Sequence, residues 1–87
     1  MKKAVAKKPE PVINEKNPQL VKLGIRIKSL RISKGYTSYE YFAYDNNFHR
    51  AQFGRYESGK DDIKFSTLLK LAKAFGMTVK EFLGEDF

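Results

Sequence analysis

The sequence predicts an all-α domain of five short helices. Three observations carry that prediction. Apolar residues recur at three-and-four spacing in successive segments, which is the helical period. The segments are bounded by residues that start and stop helices. No segment alternates apolar and polar residues with period two for long enough to make a strand.

Asn17-Pro18 opens the first helix, since asparagine caps well and proline at the first helical position loses no needed hydrogen bond. Leu20, Leu23, Ile27 and Leu30 then form one apolar stripe, and Lys34-Gly35 closes a helix over about 18–34. Thr37-Ser38-Tyr39-Glu40 is the next start. Thr37 and Glu40 have the spacing of a capping box, and Ser38 could equally be the cap. The second helix covers about 39–46, burying Phe42 and Ala43, and stops at Asn46-Asn47 because asparagine tolerates the left-handed conformation. A third helix covers about 50–58, with His49 as its cap and Ser58-Gly59 as its end. In the fourth, Phe65, Leu68, Leu69, Ala72 and Phe75 are expected on the buried face, with Gly76 closing it. Thr78-Val79-Lys80-Glu81 is a capping box for a fifth helix at about 79–83, with Met77 and Phe82 at the spacing of a hydrophobic staple.

The sixteen residues before Asn17, MKKAVAKKPEPVINEK, have no apolar period and hold two of the three prolines. They are expected to be a disordered basic arm ahead of a domain at 17–87. That domain is near the lower size limit for a core held by apolar packing alone. Without cysteine, neither a disulfide nor a cysteine-based zinc site can help it. Seven Phe and five Tyr are how so short a chain can fill an interior. No apolar run approaches the roughly 18 residues of a membrane span, and the N-terminus lacks the apolar middle of a signal peptide. A cytoplasmic location is expected.

The formal net charge is +7, unevenly spread. Residues 1–16 carry five Lys against two acids, residues 17–60 eight Lys or Arg against three, and residues 61–87 four Lys against five. Such an excess in the first two-thirds suggests a polyanionic partner.

The third helix sharpens that suggestion. Gly54 lies in its middle, where glycine costs about 1 kcal/mol relative to alanine. On a helical wheel Phe53 and Tyr56 form a narrow apolar stripe. Arg50, Ala51, Gly54, Arg55 and Ser58 gather on the other side, two cationic forks with only small side chains between them. That surface suits the major groove, where arginine matches the O6 and N7 acceptors of guanine. Gly54 is then expected to permit a close approach to the base edges. The opposing reading is a solvated face with a chance glycine.

A short helix, a tight turn and this helix form a helix-turn-helix unit. Over about residues 20–83 the chain resembles the phage-repressor-like, or XRE, helix-turn-helix family. The matching stretches are LGIRIKSLRISKG, SYEYFA, RYESGK and FSTLLKLAKAFGMTVKEFL, and Ala43, Glu57 and Gly59 keep the family's mutual spacing. The resemblance implies a lambda-repressor-like fold and base-edge contact by Arg50, Ala51 and Arg55, with Gln52 near the helix start. It also implies an ion pair between Arg31 and Glu57, phosphate contact at Ser38 and Tyr39, and sugar-phosphate contact at Ser58 and Lys60. Three departures stand out: one extra residue between Gly35 and Ala43, Asn46-Asn47 in place of an apolar residue and a turn glycine, and Asp61-Asp62 in a loop near phosphate. Those two carboxylates are expected to repel DNA.

Other chemistry finds little support. His49 has no second histidine or cysteine for a metal site, and reads as a helix cap beside phosphate. Tyr36, Tyr39, Tyr41 and Tyr44 with Phe42 read as core and rim, against a single-strand stacking platform. No phosphate-binding glycine loop or nucleophile–base pair appears, so neither enzyme activity nor a cofactor is expected. A transcriptional regulator binding double-stranded DNA is the leading expectation, as a homodimer on a near-palindromic site, with no small-molecule ligand. Phe82, Leu83 and Phe87 are the expected contributors to the dimer contact. The alternative is a protein-interaction module, an antitoxin or adaptor, on the same fold. The prediction for Gly54→Leu is a more stable isolated helix and weaker duplex binding.

Overall fold

Four of the five helices begin where a side chain accepts a backbone N–H that the helix itself leaves unpaired. The computed structural model describes residues 17–85 and 87, and its elements are α1 (Pro18–Ser33), α2 (Tyr39–Asp45), α3 (Arg50–Ser58), α4 (Phe65–Ala74) and α5 (Val79–Leu83). The arm at 1–16 lies outside the described residues. Asn17 accepts from the Gln19 N–H, Ser38 from Glu40, His49 from Gln52 and Thr78 from Glu81. Ser38, not Thr37, is therefore the cap of α2. Thr78 and Glu81 complete the expected reciprocal box. Among the described residues no strand occurs.

The core is a run of aromatic rings enclosed by aliphatic residues. Phe42 stacks on Phe75 at 4.9 Å and Phe75 on Phe82 at 5.9 Å. Phe53 lies tilted 5.3 Å from Phe42, and the Tyr36 ring meets Phe42 edge-on at 5.1 Å. Leu23, Ile27 and Leu30 of α1 and Leu71 and Ala72 of α4 close around them. The Tyr36 hydroxyl donates to the Asp45 carboxylate at 2.6 Å, and that bond raises the phenol's pKa above its ordinary value. Tyr36 and Tyr39 are rim residues, whereas Tyr41 and Tyr44 stand 70% and 78% exposed on α2.

Two sequence expectations need correction. In α4 the inward stripe is Leu68, Leu71, Ala72 and Phe75, while Phe65 and Leu69 are exposed. The segment is apolar over more than half its circumference, so spacing alone permits either stripe. Phe82, expected at a dimer contact, is fully buried because its ring ends the aromatic stack, and it has no surface left for a partner.

Several contacts hold α3 against the rest. Arg31 donates through Nε and Nη2 to both carboxylate oxygens of Glu57, at 2.7 and 3.1 Å, and through Nη1 to the Tyr36 carbonyl at 2.7 Å. Both side chains are more than nine-tenths buried. A pair so enclosed is tolerable only when hydrogen bonds satisfy the charges, and here three do. Gly24 makes the same junction possible. A β-carbon there would lie 2.4 Å from the Glu57 carbonyl oxygen and 2.6 Å from that of Tyr56, so α1 crosses the end of α3 at backbone distance. Arg26 ties α1 to the last helix by donating to the carbonyls of Phe82 and Glu81.

The turn between α2 and α3 is held from outside. Asn47 takes φ 61°, the left-handed conformation its residue type suggested. Lys70 of α4 reaches across to donate to the Asn47 carbonyl at 2.6 Å, with its ammonium 4.4 Å from the centre of the Phe48 ring. Asn46 donates its side-chain amide to the Phe42 carbonyl at 2.9 Å, beside the bond that carbonyl accepts from the Asn46 backbone N–H at 3.0 Å.

Candidate nucleic-acid interface

Along α3 the side chains sort by direction. Phe53 and Tyr56 enter the core and Glu57 is taken by Arg31, while Arg50, Ala51, Gln52 and Arg55 are exposed. His49 fixes the start of this helix by accepting the Gln52 N–H through Nδ1 at 3.5 Å, and Gly59 closes it in the left-handed conformation. The four outward residues sit in two adjoining depressions. Ala51, Gln52 and Arg55 line one together with His49 and Asp61, and Arg50 and Ala51 line the other together with His49, Tyr39 and Glu40. Ala51 belongs to both. A methyl group between two long cations leaves the ridge low where a duplex would approach.

Gly54 also packs against a neighbouring helix. A β-carbon there would stand 2.9 Å from Cε1 and Cζ of Tyr39 and 3.0 Å from its hydroxyl oxygen. The absence of a side chain at position 54 makes room for the first residue of α2. Packing between the two helices of the motif is thus one physical reason for the glycine.

The residues assigned to the sugar-phosphate backbone differ in how much of them remains available. The Ser38 Oγ accepts the Glu40 N–H as the cap of α2, and Tyr39 is half-buried with its ring over Gly54. The Ser58 hydroxyl donates to the Arg55 carbonyl at 3.2 Å. Lys60 is exposed immediately past the end of α3.

The acidic loop after α3 is less hostile than its sequence suggests. Asp61 accepts from Nε of Arg55 at 3.0 Å, and Asp62 accepts the Ile63 N–H at 2.9 Å. One carboxylate is neutralised by a cation and the other stabilises the loop. Fewer basic side chains are available to a partner than the count implies, because the donors of Arg26, Arg31 and Lys70 are engaged within the fold. Sequence reasoning missed Gly24, Arg26, Lys70 and the Arg55–Asp61 pair. Gly24 alone carried a legible signal, a glycine inside a helix as anomalous as Gly54. The others depend on which elements meet.

Among the described residues no group of three or more His, Cys, Asp or Glu side chains could hold a metal ion, and no helix is long and apolar enough to cross a membrane.

Comparison with known proteins agrees with this architecture. The family model described as helix-turn-helix matches residues 27–82. The crystal structure of the restriction-modification controller protein C.AhdI from Aeromonas hydrophila superposes with a TM-score of 0.69 at 32% identity, covering 78% of this chain and 100% of that one. The clp gene regulator ClgR from C. glutamicum gives 0.68 at 21% identity, covering 80% and 88%. The hypothetical transcription factor NHTF from Neisseria gives 0.69 at 21%, covering 88% and 87%. No curated protein matches significantly.

Proposed function

The chain belongs to the XRE-type helix-turn-helix family, and on that premise we propose that it is a transcriptional regulator whose α3 reads the major groove of double-stranded DNA. The observation that carries the reading is the sorting of α3, in which Arg50, Ala51, Gln52 and Arg55 are exposed while Phe53 and Tyr56 are committed to the core and Glu57 to Arg31. The groove is about 12 Å wide and admits a helix. Arg50, Ala51, Gln52 and Arg55 are the base-contacting residues, with Arg50 and Arg55 as guanine readers. Ser38, Tyr39, Ser58 and Lys60 flank the groove against the sugar-phosphate backbone, which positions the helix without reading sequence. C.AhdI and ClgR are named as a controller and a gene regulator, which supports the same role here.

One domain of this size buries a modest DNA interface, so the active species is proposed to be a homodimer on a near-palindromic site, its half-sites about one helical turn apart. The surface proposed for the dimer contact is the outer face of α4. Phe65 and Leu69 are exposed one turn apart there, and Leu69 continues into a depression lined by Ala72, Met77 and Val79.

A protein-interaction module is the second reading, favoured by the exposed rings of Tyr41 and Tyr44. Salt titration separates the two. Duplex binding should weaken by roughly 0.9 log units per log unit of salt for each phosphate neutralised. Absence of binding to any duplex at low salt sinks the DNA reading. Arg50→Ala should cost about 1–3 kcal/mol of affinity for the selected site and relax preference at one base pair. Equal weakening on all sequences makes Arg50 a phosphate contact instead.

A further inference from the structure

The ion pair beside the reading helix has a geometry that bears on specificity. Arg55 is 60% exposed while the Asp61 side chain is 23% exposed, so the carboxylate is the better-anchored partner. It accepts from Nε at 3.0 Å. Among the described residues, neither terminal nitrogen of Arg55 has a hydrogen-bond partner. Both residues line the depression that also holds Ala51 and Gln52. A guanidinium is planar, so a bond at its Nε edge restricts the direction of its two-donor terminal edge.

We propose that Asp61 is a positioning residue for Arg55, holding the guanidinium so that Nη1 and Nη2 face the base edges and enforcing a preference for guanine at one position. The proposal rests on the DNA-binding reading. Guanine offers two acceptors, O6 and N7, to that fixed pair of donors, whereas adenine presents an amino donor in place of O6. An unrestrained arginine at the same site can swing to a phosphate and gain affinity without reading sequence. Asp61 therefore trades affinity for discrimination. Its bond to Arg55 keeps that cation on the bases and away from the phosphates.

The test uses the full chain, the duplex it selects from a randomised library, single base-pair variants of that duplex, and a mixed-sequence duplex. Arg55→Ala first identifies the base pair that Arg55 reads. Asp61→Asn should bind the mixed-sequence duplex as tightly as the unmodified chain or more tightly. At the Arg55 base pair its discrimination should fall by about threefold to tenfold, part of what a bidentate arginine supplies. Asp61→Glu, which keeps the acceptor, should restore much of that discrimination. In an Arg55→Ala background, Asp61→Asn should leave discrimination at that base pair unchanged. Thermal unfolding of each variant checks that the fold is intact. Uniformly tighter binding with unaltered discrimination overturns the proposal and makes Asp61 a simple repulsive charge. If Asp61→Asn sharpens discrimination, the carboxylate holds Arg55 away from the bases and the proposal is again wrong. Absence of duplex binding by the unmodified chain is a different failure, which removes the DNA reading itself.

Discussion

A β-carbon at position 54 would lie 2.9 Å from the Tyr39 ring, closer than side chains ordinarily pack, and this makes a sign-reversing experiment possible. Alanine there gains about 1 kcal/mol of helix propensity, while overpacking against Tyr39 costs about 1–3 kcal/mol. With Tyr39 in place, Gly54→Ala should be neutral to destabilising. In a Tyr39→Ala background the same change should stabilise by about 1 kcal/mol, both read by urea denaturation. Equal effects in the two backgrounds would show that ring and glycine do not meet. The stabilisation expected of Gly54→Leu in the isolated helix should not carry over to the folded domain, where a larger side chain has to displace Tyr39. The oddity of Gly54 was legible in the sequence, and its cause was not. A helical wheel gives directions around one axis and says nothing of which neighbour occupies them. The same limit hid the Arg55–Asp61 bond, because a loop six residues on has no periodicity from which to read its return.

Helix boundaries were largely legible because local hydrogen bonds write them. Asn17, Ser38, His49 and Thr78 each satisfy an N–H two or three residues ahead, chemistry that depends on no other element. Which face docks is a different matter. In α4 both Phe65 with Leu69 and Leu68 with Leu71 fit helical spacing, and only packing against Phe42 and the other core rings selects between them. The crossing of α1 over α3 is the most sensitive junction of this kind. Gly24→Ala would press a methyl group against two backbone carbonyls, which cannot rotate aside as the Tyr39 ring can. It should lose about 1–3 kcal/mol or more despite its gain in helix propensity, seen as a lower urea midpoint. An unchanged midpoint would mean that α1 does not cross at backbone distance. Arg31 and Glu57, implied from the family resemblance, bond at this same crossing, so the ion pair and the glycine serve one junction.

For the molecule as a whole, the number of basic residues is a poor guide to how many can bond a partner, because the donors of Arg26, Arg31 and Lys70 are engaged within the fold. The proposed dimer is tested on residues without core duties. Phe65→Glu with Leu69→Glu should leave the helical content unchanged by circular dichroism, because neither side chain is in the protomer's core. The same pair should convert dimer to monomer in sedimentation and weaken binding to a two-half-site duplex far more than to a single half-site. A doubly substituted chain that remains dimeric places the contact elsewhere. The hold of Lys70 on the α2–α3 turn also bears on protein engineering. A designer who lifted residues 38–59 into a foreign scaffold would carry over the reading side chains and leave behind the ammonium that braces Asn47 and the guanidinium that grips Glu57. The portable cassette is thus not the two-helix motif but the motif with its braces, and a host has to supply a cation at each place before transplanted specificity can survive.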